Sequence, residues 1–129
     1  MNNLALFLFR ILVSAAMILG HGLGKLLNPE PFIQNIVNMG LPMPEISAYL
    51  AIAAETLLPL LIIFGLFTRV SALIAGLNMA VAAFAVHLLI FADPFSKLEL
   101  AFLYMVCFLF IALVGPGGWT VQKLFGTDT

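Results

Sequence analysis

The sequence predicts an all-α polytopic membrane protein: a four-transmembrane-helix bundle with a short interfacial helix in its first loop. Composition is the first observation, with 64% of the 129 residues hydrophobic and 9% charged and a mean hydropathy of +1.19. A water-soluble chain of this length has no interior large enough for so much apolar surface, so lipid must solvate most of it. The second observation is four apolar runs, at about 4–24, 46–67, 70–92 and 98–114. Each reaches or approaches the roughly 20 residues that a helix needs to cross hydrocarbon. The third is the punctuation between them, in Asn28-Pro29-Glu30-Pro31, Gly40-Leu41-Pro42-Met43-Pro44 and Gly115-Pro116-Gly117-Gly118. Proline and glycine end helices there. The whole chain, residues 1–129, is expected to form a single integral membrane domain.

The same numbers exclude several function classes. A net charge of −1 with five Lys and Arg supplies no basic patch, so nucleic acid is not expected as a partner. One cysteine, Cys107, permits no internal disulfide, dithiol pair or c-type haem attachment. The first run has no basic segment before it and is too long for a signal-peptide core, so it is expected to stay in the membrane.

Taken in order, the first run carries Arg10, Ser14 and His21 within apolar sequence and ends near Lys25. At about 100° per residue, the eleven positions from Arg10 to His21 nearly close a whole number of turns, which puts both on one face. In the first loop, Asn28-Pro29-Glu30 resembles a helix start, with an acid near the positive dipole end. Phe32, Ile33, Ile36 and Val37 then form an apolar face that Gly40 terminates. Such a helix either lies on the bilayer surface or caps the bundle. In the second run Pro59 follows Glu55 by four, removing the helical donor to the Glu55 carbonyl. In the third, Gly76, Ala80 and Ala83 share a face with His87, a small-residue stripe that lets a neighbouring helix approach. Asn78 falls on the opposite side by regular helical phase and is assigned to packing. The fourth run opens near Glu99 and leaves the membrane before Trp119, an interfacial anchor. Residues 121–129 are too few for a further domain.

An even number of spans puts both termini on one side. Arg69 and Lys123 lie there with Arg10 not far inside, against Lys25 and Lys97 opposite, so the positive-inside rule favours cytoplasmic termini. Alternating helix direction brings His21, Lys25, His87 and Glu99 to one level, with Glu55 deeper, around an outward-opening cavity. Ionisable groups in hydrocarbon are costly unless they face protein or water. The candidate ligand-binding set is therefore Arg10, His21, Lys25, Glu55, His87 and Glu99. Arg10 either joins that set or snorkels to the interface. Haem is disfavoured by the charges at the site. A metal is disfavoured because no His-rich tract or HExxH spacing selects one.

These pieces together are similar to the DoxX family of small bacterial membrane proteins. The likeness rests on Arg10, the His21-Gly22-x-Gly24-Lys25-Leu26 segment, Met39-Gly40-Leu41-Pro42-x-Pro44, Glu55, Gly65-Leu66-x-Thr68-Arg69, Glu99 and Gly115-Pro116-Gly117. The resemblance implies a four-helix bundle of the bacterial inner membrane with cytoplasmic termini. It also implies a place in a quinone-linked sulfur or thiol redox system, with a protein partner in a redox complex. Without cysteine pairs or a flavin or haem signature, the chain is at most an accessory subunit. Its share would be a quinone pocket, a docking surface or both. Two other readings use the same residues: proton or small-solute transport, which in four short helices calls for a homo-oligomer, and a structural subunit that stabilises a partner.

Overall fold

A computed structural model describes residues 2–126; the last three residues of the expected tail lie outside that range. Among the described residues, four helices are long and apolar enough to cross a membrane. They are α1 (Asn3–Leu27), α3 (Pro44–Phe64), α4 (Thr68–Ile90) and α5 (Phe95–Val114). Between the first two lies α2 (Glu30–Met39), and a single turn, α6 (Val121–Leu124), follows the bundle.

The boundaries follow local chemistry. The Asn2 side chain accepts from the Ala5 N–H and caps α1. Gly40 (φ 76°) and Gly65 (φ 72°) stop α2 and α3 in the left-handed region that glycine adopts without a Cβ clash. Pro44 occupies the first turn of α3, where no donor is lost. The start of α2 differs from expectation: Asn28 makes no capping bond, and Pro29 stands at the cap.

Two helices are not regular throughout. In α1 the segment Ile18–Gly22 is π-helical, and in α4 so is Val81–Ile90. Hydrogen bonds to the fifth residue back widen the turn and slow its rotation. In α3 the chain breaks at Thr56 (φ −128°, ψ −65°), four residues after the Ile52 carbonyl that receives the Thr56 hydroxyl at 2.7 Å. Pro59 lies just beyond, so the missing proline N–H and the break coincide.

The core forms where the four long helices meet. Met17 of α1, Ile62 of α3, Ala72, Ala75 and Met79 of α4, and Phe108 and Ile111 of α5 pack together there. Gly76 admits Leu109: a Cβ at Gly76 would come 2.9 Å from its side chain. The expected small-residue stripe thus serves close approach of α4 to α5. A second cluster, Ile33 and Ile36 on Ala48, seats α2 on α3, so this helix caps the bundle. Outward positions are occupied by large apolar residues such as Leu12, Leu50, Leu77 and Leu113, as expected of surfaces solvated by acyl chains.

Candidate functional site

At the end of the bundle away from the termini, a cavity of about 850 Å³ opens among α1, α2, α3, α4 and α5. Its walls are largely apolar, and polar side chains line it from all five helices, Asn35 and Asn38 of α2 and Ser47 of α3 among them. His21 and Lys25 come from α1, Glu55 from α3, Asn78 and His87 from α4, and Lys97 and Tyr104 from α5.

Glu55 is the deepest of these, at 3% exposure. Its Oε1 accepts from Lys25 Nζ at 2.8 Å and its Oε2 from Asn78 Nδ2 at 3.4 Å. A carboxylate in such surroundings needs a partner, because an unpaired buried charge costs several kcal/mol by order of magnitude. Lys25 supplies the charge while its side chain remains partly accessible, at 30% exposure against 4% for Glu55. The same ammonium lies 4.2 Å from the centroid of the Phe32 ring. One cation therefore ties α1 to α3 by an ion pair and to the covering helix α2 by a cation–π contact.

Gly22 makes this arrangement reachable. A Cβ there would overlap the Glu55 carbonyl and lie 2.6 Å from the Thr56 methyl. Only a glycine lets α1 approach the break in α3 so closely, and Lys25 stands one turn further on. The carbonyl freed by Pro59 faces the backbone of α1 at Gly22.

His87 is held at the mouth. Its Nδ1 lies 2.9 Å from Asp93 Oδ2, and the Asp93 N–H returns to the His87 carbonyl at 2.8 Å. An ionised Asp93 accepts a proton-bearing Nδ1, which fixes the tautomer and leaves Nε2 as the second nitrogen.

The cavity brings together four of the six residues expected of it: His21, Lys25, Glu55 and His87. Arg10 lies elsewhere. It is 2% exposed and donates to the carbonyls of Ile62 (2.8 Å), Ile63 (3.3 Å), Pro116 (2.7 Å) and Trp119 (2.6 Å) near the chain termini. Eleven residues at about 1.5 Å each separate it from His21 along the helix, too far for a shared ligand. Sharing a face was not sharing a depth. Glu99 is also outside: Lys97, Leu100, Ala101 and Tyr104 form the inward stripe of α5, and Glu99 stands exposed off that stripe.

Asn78 corrects the opposite error. Regular phase puts it across the helix from His87, yet both line the cavity. The π-helical turns from Val81 onward advance by roughly 80° per residue instead of roughly 100°, which brings the two groups towards one side. Tyr104 was also missed. The one signal available was its i, i+4, i+7 spacing to Phe108 and Ile111, both buried core residues.

This geometry combines largely apolar walls with hydrogen-bonding groups from several helices, two imidazoles among them.

A family model described as DoxX matches residues 5–88, well over half of the chain. The chain belongs to the DoxX family. The matched stretch contains His21, Lys25, Glu55, Asn78 and His87 and stops short of Tyr104. An uncharacterized protein of Haemophilus influenzae is 32% identical to this DoxX chain over 135 residues, covering 97% of this chain and 98% of that protein. No solved structure matches. DoxX membership and four membrane-spanning helices together make this a multi-pass membrane protein.

Proposed function

We propose that this DoxX protein is the membrane subunit of a quinone-linked sulfur or thiol redox system, and that its cavity binds a quinone-like head group. The observation that supports this reading is the Lys25–Glu55–Asn78 chain set into the largely apolar wall of a cavity of about 850 Å³. A quinone has the matching form: an apolar ring with two carbonyl oxygens, able to leave the bilayer sideways. In this reading His21, Lys25, Asn78 and His87 surround the head group, and Glu55 holds Lys25 in place. His87, paired with Asp93 at the mouth, exchanges protons with water.

Electrons come from a partner protein, since the chain has one cysteine and no flavin or haem signature. The proposed setting is the bacterial inner membrane, with Arg69 and Lys123 and both termini on the cytoplasmic side.

The test is to extract the protein from bacterial membranes in a mild detergent and analyse the organic extract by mass spectrometry. A quinone near one per chain, lost in Glu55→Gln and in His87→Ala, is expected. An extract from the unaltered protein that holds phospholipid and no quinone overturns the proposal.

A further inference from the structure

The Tyr104 ring is fixed from two sides. It stacks on Phe108 with centroids 6.2 Å apart and planes at 19°, and Phe108 is fully buried. Its other contact is an edge-to-face meeting with His21 at 5.4 Å and 87°. These contacts need only an aromatic ring, so phenylalanine would satisfy them equally. The hydroxyl is therefore unexplained by packing. Among the described residues neither the Tyr104 hydroxyl nor the His21 imidazole has a hydrogen-bond partner, although both residues line the cavity.

The other polar groups of the wall are already engaged or lie outermost. Glu55 is taken by Lys25 and Asn78, His87 by Asp93, and Ser47 by the Pro42 carbonyl at 2.9 Å. Asn35, Asn38 and Lys97 are exposed. The half-buried polar groups of the wall that make no hydrogen bond at all are one hydroxyl donor beside one imidazole. A phenol in a membrane bundle that finds no internal acceptor loses a hydrogen bond it had in water, unless a ligand or water in the cavity supplies the acceptor.

We infer that Tyr104 and His21 form the hydrogen-bonding end of the ligand site, with the Tyr104 hydroxyl donating to a carbonyl oxygen of an uncharged, planar ligand. This rests on the quinone reading above and narrows it: the site reads the ligand's oxygen and not only its ring. The preference for an uncharged ligand follows from the one buried carboxylate of the wall, whose charge Lys25 already balances. Tyr104 is then the residue that separates a quinone from a hydrocarbon of the same shape.

The experiment uses the full chain in detergent, titrated calorimetrically with menadione and with 2-methylnaphthalene, which keeps the ring system and lacks both carbonyls. Tyr104→Phe removes one oxygen and leaves both ring contacts available. It should weaken menadione binding by roughly five- to tenfold and leave 2-methylnaphthalene unchanged. His21→Phe, which also keeps the ring contact, should act in the same direction and serves if the first variant does not accumulate. Equal loss of both compounds means a packing role and overturns the inference. Undiminished menadione binding in both variants overturns it too and leaves the quinone reading standing. No menadione binding to the unaltered protein removes the quinone reading and this inference with it.

Discussion

Replacing Arg10 tests what secures the terminal end of the bundle. Its guanidinium spans two segments far apart in sequence, the end of α3 and the loop after α5, through four carbonyls. The Ile62 carbonyl also accepts from the Gly65 N–H at 3.0 Å and keeps a partner without Arg10. Ile63 does not have that reserve: the Phe67 N–H, its helical donor by position, is turned to Gln122 Oε1 at 2.8 Å. Arg10→Met thus strands the carbonyls of Ile63, Pro116 and Trp119. At about 1–3 kcal/mol for the buried Pro116 carbonyl and about 1 kcal/mol for each of the part-buried Ile63 and Trp119 carbonyls, the loss is of order 3–5 kcal/mol. Removing the buried cation relieves part of its desolvation cost, so the net effect should fall at about 1–4 kcal/mol. Arg10→Lys separates fork from charge, because one ammonium cannot reach four carbonyls arranged around a planar group. It should recover no more than half of the loss. Thermal denaturation in detergent, followed by retention on size exclusion, measures both variants. A lysine variant as stable as the original, or a methionine variant within about 0.5 kcal/mol of it, refutes the clamp.

Three further outcomes follow from the other end of the bundle. Lys25→Met leaves Glu55 buried with Asn78 alone and should cost about 3 kcal/mol, whereas adding Glu55→Met should restore part of that; simple additivity in unfolding titrations contradicts a coupled pair. Gly22→Ala drives a methyl into the Glu55 carbonyl and the Thr56 side chain and should destabilise by about 1–3 kcal/mol. Gly20→Ala, with nothing within 4 Å of its new Cβ, is the control, and equal melting of the two variants speaks against close approach at Gly22. Ile36→Ser removes a residue 4% exposed from the seat of α2, at about 2 kcal/mol. Limited proteolysis should then cut near residues 28–43 faster than in the original protein, and an unchanged rate means α2 is held by something else.

Much of the fold was legible before any coordinates. The runs at 46–67 and 98–114 differ from α3 and α5 by no more than three residues at either end, because hydrocarbon thickness and backbone satisfaction leave few other solutions. Gly40 ended its helix as expected, for the reason its lack of a Cβ gives, whereas Gly65 ended α3 inside the expected run. The site was legible in part. His21, Lys25, Glu55 and His87 stand out as ionisable groups in apolar sequence, and a bundle has one interior to put them in. Tyr104 does not stand out, being neutral, and Asn78 was placed on the wrong side because a regular helical phase does not hold through Val81–Ile90. Arg10 and Glu99 stand out for reasons unrelated to the cavity: one binds backbone carbonyls and the other is exposed.

The sequence by itself therefore determined the solvent, the number of crossings and the residues too polar to face lipid. Those properties depend on composition and length along the chain, which transfer free energy alone decides. Tertiary structure decided which of those residues meet. That outcome depends on rotation and depth: two π-helical segments and the break at Thr56 reset the phase of α1, α4 and α3. Gly22 decides how near α1 comes to Glu55. A wider turn costs little energy locally and leaves no mark in hydropathy, so only packing of whole helices against one another selects where it occurs.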